Sequence, residues 1–548
     1  MNVLGINAVF HDPAAALVRD GQITAAAEEE RFTRRKHGKA AVPFSAWELP
    51  EQAARWCLDQ GGLEPGDLDA VAYSYDPALA PDTGADLMSQ EWEGLRTLFV
   101  RRAPNFLATA LPGLDPTRVR FVPHHVAHAA SAYLAAAPDG DSSVLTLDGR
   151  GERHSHLAGH VTEGKLDTLA TSALPHSLGL RYEDLTAHLG FRRSSDEYKV
   201  MALASYGVPR WLDALRHRIA LNSDGTIVAP PIDWSQWALP RRPGEAWGQR
   251  HADLAASMQA RLEEMLLELG RWLHARTDDD LLVLAGGVAL NCVANSRLAE
   301  EGPFPRVWVQ PAAGDAGTAL GAALHLAAEA GDRIEPMRTA ALGRGFTDAE
   351  VSDALEEAGI AKSAPNDLAG DVADILADDG LVAWFQGRAE YGPRALGHRS
   401  LLANPMDAAN LERLNAVKGR EQFRPVAPMI TIERAAEVFE GPLPSPYMLF
   451  THRVRPEWRE RIPAAMHVDG TARIQTVDAG DEPLLHRLLC EFEQRTGVPA
   501  VINTSLNTAG RPIVDDPRDA FECLGSAPVD ALAIGPYLVR RPVARDGR

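Results

Sequence analysis

Two stretches of the chain repeat one pattern of strands and turns. Residues 3–30 read VLGINAVFHDPAAALVRDGQITAAAEEE, and residues 143–170 read SVLTLDGRGERHSHLAGHVTEGKLDTLA. Each opens with an apolar run typical of a buried strand, turns through polar residues and returns through a hairpin that carries glycine, such as Asp20-Gly21. An internal repeat constrains the architecture more than any single element does, so we expect two related lobes that each begin with β-strands.

The segments after the repeats predict helices and buried strands. Apolar residues recur at helical spacing in LAASMQARLEEMLLELGRWLHART. Two later segments, DLLVLAGGVALNCVANSRLAEE and RVWVQPAAGDAGTALGAALHLAAEAG, each read as strand, glycine-bearing turn and helix. Two β-led lobes with helices between them form the layout of the ASKHA group (actin, sugar kinases, Hsp70), which holds nucleotide phosphates between its lobes. The sequence therefore predicts a two-lobed α/β domain of this type over residues 1–335.

A second, smaller α/β domain is predicted over residues 345–548. The preceding stretch, DRIEPMRTAALGRGFTD, contains proline and glycine without periodicity, which indicates a boundary. After it, the helical patterns VSDALEEAG and LAGDVADILADDG precede a strand, LVAWFQG.

Composition excludes several classes of protein. The net charge of −20 over 548 residues disfavours a large nucleic-acid interface. No stretch approaches the apolar length of a membrane span, and the N-terminus does not resemble a signal peptide, so we expect a cytoplasmic protein without a membrane partner. The four cysteines are not paired in CxxC motifs, so any metal must be held by histidine and carboxylate.

His124 and His128 are candidate metal ligands. They lie four residues apart in PHHVAHAASAYLAAA, whose alanines favour a helix, and this spacing puts both rings on one face. The spacing alone is a weak signal, and a capped or core histidine is the alternative. A second pair, His156 and His160, falls in a predicted strand, where four residues cover about 13 Å and cannot share an ion directly.

Two aspartates could complete such a site. Asp148 ends the strand SVLTLD, and Asp315 follows Gly314 before a helix, although each could simply cap a turn. With the two histidines they form a His2Asp2 set suited to Fe, Mn or Zn. Gly286 and Gly287 stand at a strand-to-helix turn, where backbone N–H groups can hold a phosphate, or can merely form a tight connection.

Basic residues are concentrated in two places. FTRRKHGK, near the N-terminus, reads as a solvated charge run or as a basic loop over an anionic ligand. The segment from Gln386 to Pro425 contains seven arginines and lysines against four acids, and its GPRALGHRSLL and KGREQFRPVAP motifs are loop-like. Because arginine grips phosphate through two hydrogen bonds, this second patch predicts a phosphate pocket.

Taken together, these motifs resemble the antibiotic-biosynthesis O-carbamoyltransferases, the family of the tobramycin (nebramycin) enzyme. The resemblance runs nearly end to end, through FHDPAAAL, AEEERFTRRKHG, VPHHVAHAASAY, LTLDGRGE, EYKVMALASYG, LAGGVALN, AAGDAGTALGAA, QGRAEYGPRALGHRSLL, FRPVAPM, HVDGTARIQTV and VINTSLNTAGRPIV. It implies an ASKHA-type threonylcarbamoyl-transfer domain followed by a YrdC-like domain.

The resemblance also implies a division of labour. The YrdC-like domain would use carbamoyl phosphate and ATP, with Mg, to make carbamoyl adenylate while pyrophosphate leaves. Matching positions assign the binding of carbamoyl phosphate and ATP to Arg394, Arg399, Lys418, Arg424, Arg473, Asn503, Thr504, Ser505 and Asn507.

In the first domain, the carbamoyl group would pass from the adenylate to a hydroxyl of a small natural product, an antibiotic or its sugar, and AMP would be released. The resemblance implies a divalent metal there, iron first, held by His124, His128, Asp148 and Asp315. It places the nucleotide at Gly149, Gly286, Gly287 and Asn291.

His11 and Lys36 match family positions near the transfer site, and we predict His11 as the base that deprotonates the acceptor. One departure is the absence of a glycine before Lys199. Residues 75–105 and 225–250 look individual, and we expect them to determine the acceptor. The sequence leaves a monomer and a homodimer equally open.

Three rival classes remain. A tRNA threonylcarbamoyl enzyme would share both folds, but the negative charge opposes it. A hydrogenase-maturation carbamoyltransferase would require cysteine-rich zinc fingers, which four scattered cysteines cannot build. A non-catalytic, ATP-binding ASKHA protein would leave the arginine-rich second domain unexplained.

Overall fold

The computed structural model describes residues 1–39, 48–80, 93–136, 140–508 and 510–541. These residues divide into two compact units, an N-terminal unit, Met1–Met337, and a C-terminal unit, Arg338–Arg548. The functions predicted for residues 1–335 and 345–548 remain predictions. No helix in the described part of the chain is long and apolar enough to cross a membrane.

The N-terminal unit contains twelve strands and ten helices among its described residues. The strands are β1 Asn2–Asn7, β2 Ala14–Arg19, β3 Gln22–Glu28, β4 Ala70–Tyr73, β5 Val119–Phe121, β6 Ser142–Leu147, β7 His154–Thr162, β8 Lys165–Ala173, β9 Ala220–Leu221, β10 Ile227–Val228, β11 Leu281–Ala285 and β12 Arg306–Val309. The helices are α1 Glu30–Thr33, α2 Glu51–Gly61, α3 Glu93–Ala110, α4 His124–Ala136, α5 Leu178–His188, α6 Glu197–Ala204, α7 Leu212–Arg216, α8 Gln249–Thr277, α9 Cys292–Glu301 and α10 Ala316–Glu329.

Two five-stranded sheets of this unit share one topology. The first has the order β3-β2-β1-β4-β5, and the second, read from the equivalent edge, has the order β8-β7-β6-β11-β12. In both, three antiparallel strands are followed by two that run parallel to the first. The matching hairpins turn through Asp20-Gly21 and Glu163-Gly164, all four residues with positive φ. The predicted repeat is therefore confirmed, and with it the two-lobed α/β arrangement.

Helices α4 and α10 connect the two sheets. Helix α10 packs on β1 and β2, α4 packs on β6 and β11, and the two helices pack on each other. Glycines permit the close approach, since a Cβ at Gly5 would lie 1.8 Å from the Ala319 carbonyl oxygen and one at Gly321 would lie 1.8 Å from that of Ala127. This contact brings the start of α4 beside the start of α10.

Gly321→Ala is expected to destabilise the N-terminal unit. The new methyl group would meet backbone atoms of Ala127 and Ser131, which cannot move without separating the two helices. We expect a loss of about 1–3 kcal/mol in the free energy of unfolding, measured by denaturant titration. Gly525→Ala is the matched control because its Cβ would enter open space. An unchanged unfolding midpoint for Gly321→Ala would contradict this packing.

The C-terminal unit contains ten strands and six helices among its described residues. The strands are β13 Val382–Phe385, β14 Arg399–Ala403, β15 Ala427–Thr431, β16 Phe439–Glu440, β17 His452–Val454, β18 Thr471–Ala472, β19 Gln475–Val477, β20 Ala500–Ser505, β21 Ala531–Ile534 and β22 Tyr537–Arg540. The helices are α11 Asp348–Glu357, α12 Leu368–Ala377, α13 Ala409–Val417, α14 Ile432–Val438, α15 Pro483–Thr496 and α16 Pro517–Ser526.

A mixed seven-stranded sheet forms the centre of this unit. Its order is β19-β15-β20-β14-β13-β21-β22, and a smaller sheet has the order β16-β17-β18. Helices α12 and α15 pack on each other, and side chains such as Trp384, Phe492 and Ile502 form one buried core. The unit is mixed α/β, as predicted, while its likeness to the YrdC fold stays a prediction.

Candidate functional site: a histidine–aspartate cluster and an arginine-rich pocket

Four buried side chains of the N-terminal unit converge at one point. His124 and His128 lie on the first turns of α4, Asp148 follows β6, and Asp315 precedes α10. Each offers a ligand atom, and these four atoms all lie within 4.8 Å of one another. The helix predicted for the two histidines is confirmed, and its packing on α10 brings them to both aspartates.

The spacing of these atoms suits a common ion. His124 Nε2 lies 3.6 Å from Asp148 Oδ2 and 3.6 Å from Asp315 Oδ1, and His128 Nε2 lies 3.9 and 3.5 Å from the same two oxygens. These distances are too long for hydrogen bonds. Ligands at tetrahedral corners around a metal with bonds of about 2.1 Å stand about 3.4 Å apart.

Several of these atoms are buried without a hydrogen-bond partner in the described part of the chain. They are His124 Nε2, both ring nitrogens of His128 and both carboxylate oxygens of Asp315. Buried polar groups are normally paired, and each unpaired one costs free energy. A divalent cation would satisfy the atoms that face the centre, so the residues present fit a metal site.

Neighbouring groups orient the cluster. His124 Nδ1–H donates to the Ser74 carbonyl oxygen at 3.2 Å, which leaves Nε2 for a metal. The Gly287 N–H donates to Asp148 Oδ1 at 2.9 Å, which leaves Oδ2 facing the histidines. The His124 N–H donates to Glu152 Oε1 at 2.8 Å and so ties α4 to the loop after β6.

The predicted nucleotide residues lie around this cluster but are partly engaged. Gly286 has φ of 89°, and a Cβ there would lie 2.1 Å from the Leu147 carbonyl oxygen, so this turn requires glycine. Because the Gly287 N–H is given to Asp148, that donor is not free for a phosphate. A Cβ at Gly149 would meet Glu183 Oε1 at 2.9 Å. The Asn291 side chain caps α9 and pairs with Gln259.

His11 reaches the cluster, whereas Lys36 pairs with a glutamate of helix α1. His11 Nε2 is 3.7 Å from Asp315 Oδ2, whereas Lys36 Nζ pairs with Glu30 Oε1 at 3.1 Å. Although burial alone would lower it, the carboxylates of Asp315 and Asp12 raise the pKa of His11 to about 10. A bound cation would oppose this shift, because it neutralises the same carboxylates.

The structure adds three residues that sequence reasoning did not select. Asp12 contacts both His11 and His37, and His37 contacts Ser195. Asp12 directly follows His11, and His37 lies in the basic run FTRRKHGK, so the signal was adjacency to selected residues. Nothing in the sequence marks Ser195, which lies 158 residues beyond His37.

The second histidine pair has a different environment. His156 and His160 lie on strand β7, as predicted. His160 Nε2 lies 3.4 Å from Asp279 Oδ1, and His156 is fully buried. Neither belongs to a metal-ligand cluster among the described residues.

The predicted phosphate residues of the C-terminal unit form two groups. In the first, Lys418 at the end of α13 reaches the end of β20, where Nζ lies 2.9 Å from Ser505 Oγ and also contacts Asn507 Oδ1. Ser505 Oγ donates to Asn507 Oδ1 at 2.9 Å. These three side chains form a compact polar group around one ammonium.

The second group surrounds Asn503. Its Nδ2 donates to the Ala395 carbonyl oxygen at 3.1 Å and to Gln475 Oε1 at 2.8 Å, which brings the segments of Arg394 and Arg473 together. Asn503 Oδ1 and Arg473 Nε are buried without a hydrogen-bond partner among the described residues. An anion beside Arg473 would satisfy that donor.

The contacts of the other two predicted residues, Arg424 and Thr504, do not distinguish them as phosphate ligands. Arg424 Nη1 lies 3.5 Å from Glu421 Oε2, and Thr504 pairs with Leu401 between β20 and β14.

The guanidinium of Arg399 is engaged by neighbouring loops. Its side chain is fully buried and its guanidinium lies 3.6 Å from the centre of the Phe385 ring. It donates to the carbonyl oxygens of Gln386 at 2.9 Å and Arg344 at 2.8 Å, and to that of Gly387. These contacts hold the loop in place, and the binding of phosphate by Arg399 stays a prediction.

Comparison with known proteins gives a family. The model described as "Carbamoyltransferase N-terminus" matches residues 2–227 and 235–324, and that described as "Carbamoyltransferase C-terminus" matches residues 373–541. Nodulation protein NolNO of Sinorhizobium fredii is 37% identical over 98% of this chain and 80% of its own length. The 3'-hydroxymethylcephem-O-carbamoyltransferase of Streptomyces clavuligerus is 30% identical over 97% of this chain and 98% of its own.

Among solved structures, a ROK hexokinase from Thermus thermophilus is 17% identical and covers 60% of this chain and 100% of its own, with a TM-score of 0.30. The family models cover most of both units, and the relatives match nearly the whole chain. The chain belongs to the carbamoyltransferase family.

Proposed function

We propose that the chain is an ATP-dependent O-carbamoyltransferase that acts on a hydroxyl of a small natural product. The observation that carries this proposal is that the amino-terminal and the carboxyl-terminal carbamoyltransferase family models both match this one chain. Its His/Asp cluster, which fits a metal, supports the same proposal. The cephem O-carbamoyltransferase, similar over nearly its full length, supports an alcohol as the acceptor.

The C-terminal unit is proposed to make the activated donor. Carbamoyl phosphate, ATP and one water molecule, with Mg, would yield carbamoyl adenylate, phosphate and pyrophosphate. Arg394, Arg473 and Arg424 would pair with phosphate oxygens, and Lys418 would add a point charge beside Ser505 and Asn507. Asn503 and Thr504 would line this pocket. Asn503 Oδ1, which has no hydrogen-bond partner among the described residues, would accept a hydrogen bond from the carbamoyl amide.

The N-terminal unit is proposed to transfer the carbamoyl group. A divalent ion held by His124, His128, Asp148 and Asp315 would supply a Lewis acid, and iron, manganese and zinc all suit this donor set. Lys36 is proposed to stabilise negative charge on the leaving AMP. His11, at 3.7 Å from Asp315, is proposed to lie beside the carbamoyl group. Gly149, Gly286, Gly287 and Asn291 are proposed to lie beside the nucleotide.

A two-product assay tests the proposal. The full chain is incubated with ATP and carbamoyl phosphate in the absence of an acceptor, and pyrophosphate and AMP are measured. We expect pyrophosphate release that depends on carbamoyl phosphate. Release of ADP instead, or release that is equal without carbamoyl phosphate, would contradict the proposed function.

A further inference from the structure

The carboxylate of Asp12 lies between two imidazole rings. Asp12 Oδ2 is 3.0 Å from His11 Nδ1, and Asp12 Oδ1 is 2.9 Å from His37 Nδ1. Although burial opposes its ionisation, His37 and His11 lower the pKa of Asp12 well below its ordinary value. Because an ionised carboxylate only accepts hydrogen bonds, each neutral ring carries its hydrogen on Nδ1. In the neutral His37 ring, Nε2 is then the nitrogen that accepts a hydrogen bond.

The two Nε2 atoms face different groups. That of His11 faces Asp315 in the metal cluster, whereas that of His37 faces the hydroxyl of Ser195, which donates to it at 2.7 Å. The order carboxylate, imidazole, hydroxyl is the arrangement in which an imidazole takes a proton from an alcohol. The His37 side chain is 16% exposed, so it is not sealed in the core.

Two loops in uncommon backbone conformations bring these groups together. His37 has φ of 64°, and its N–H donates to Glu30 Oε2 at 2.7 Å. Ser194 has φ of 55°, and its N–H donates to Glu197 Oε1 at 2.8 Å. Residues other than glycine rarely adopt positive φ, and such positions cluster at functional sites.

We propose that His37, oriented by Asp12, is the base that deprotonates the acceptor alcohol, and that the acceptor hydroxyl takes the position of Ser195 Oγ. This inference rests on the proposed function, and it assigns the base role to His37 in place of His11. Ser195 lies in the turn between α5 and α6, and the exchange of one hydroxyl for another conserves the hydrogen bond to Nε2.

The step balances as a direct transfer. The acceptor oxygen bonds to the carbamoyl carbon while its proton moves to His37 Nε2. The bond between the carbamoyl carbon and the phosphate oxygen breaks, and AMP leaves with the electron pair. Asp12 is a positioning residue, since it stabilises the imidazolium that forms and does not touch the substrate.

The kinetic test separates activation, which is formation of the carbamoyl adenylate, from discharge, which is transfer of the carbamoyl group to an acceptor. Water and glycerol serve as probe acceptors. Pyrophosphate release reports adenylate formation, and AMP release reports discharge. We expect His37→Gln to lower AMP release about 100-fold and to leave the first turnover of pyrophosphate unchanged. Ser195→Ala should retain discharge, and His217→Gln, at an exposed turn, is the matched control.

Two kinetic outcomes would overturn the inference. One is wild-type AMP release by His37→Gln. The other is loss of discharge in Ser195→Ala together with a carbamoyl group found on Ser195 of the wild-type protein, which would make the serine a nucleophile. Absence of pyrophosphate from the wild-type protein would instead contradict the proposed function.

A spectroscopic test does not depend on turnover. In ¹⁵N-histidine-labelled protein, the NMR spectrum should show neutral His37 with its hydrogen on Nδ1, and Asp12→Asn should abolish this preference. A wild-type His37 that carries its hydrogen on Nε2 would overturn the inference, whatever the fate of the proposed function.

Discussion

Replacement of His128 by alanine is expected to remove the bound metal and to stop carbamoyl transfer while pyrophosphate release continues. The ring supplies one of four converging ligand atoms, and its Nε2 has no hydrogen-bond partner among the residues that the structure describes. Loss of groups that merely support a ligand lowers metal affinity or activity by about 10–100-fold, so loss of a ligand should cost at least the upper end of that range. Metal content is measured by mass spectrometry of dialysed protein, and transfer by AMP release.

Two further variants make this result interpretable. Asp315→Asn preserves the side-chain volume and should also stop carbamoyl transfer while pyrophosphate release continues. Agreement between the two variants would show that the result for His128→Ala is not caused by a folding defect. His160→Ala is the matched control, because it belongs to a histidine pair of equal spacing that lies on a strand. Retention of the metal by both cluster variants would show that these residues are not its ligands.

Replacement of Arg473 or Arg394 by alanine is expected to slow formation of the adenylate strongly. Arg473 Nε is buried and has no hydrogen-bond partner within the described ranges. Arg394 lies in the segment that Asn503 ties to the same group through Ala395. A hydrogen bond to a charged group contributes about 1.5–3 kcal/mol, which corresponds to a loss of about 10- to 150-fold in pyrophosphate release for each arginine.

The control for the arginine variants is Arg453→Ala. Arg453 is on strand β17 of the same unit, its side chain is 57% exposed, and it faces Glu440 across 3.7 Å. Its pyrophosphate release should match that of the wild-type protein. If Arg473→Ala kept pyrophosphate release but blocked discharge, the proposed assignment of the two steps to the two units would be wrong.

Much of the fold follows from local sequence patterns. The repeated hairpins could be predicted because Asp20-Gly21 and Glu163-Gly164 supply the positive φ values that their turns require. The pairing of His124 with His128 could be predicted because helical spacing is a local property. Their convergence with Asp315 depends on the packing of α10 against α4, which the sequence indicates only through family resemblance.

Other features could not be read from the sequence. Arg399, the first residue of β14, turns its guanidinium toward loop carbonyl groups, a direction that no local pattern encodes. The Gly287 N–H was expected to face a phosphate and instead holds Asp148. The contact between His37 and Ser195 joins distant loops and follows from tertiary structure alone.

The most direct measurement is rapid quenching of a single turnover, with carbamoyl adenylate quantified by mass spectrometry in two variants. If the arginine-rich group of the C-terminal unit forms the activated donor and the His/Asp cluster discharges it, carbamoyl adenylate should accumulate in His128→Ala and be strongly reduced in Arg473→Ala. Equal amounts of the intermediate in both variants, or none in His128→Ala while pyrophosphate is still released, would contradict the account.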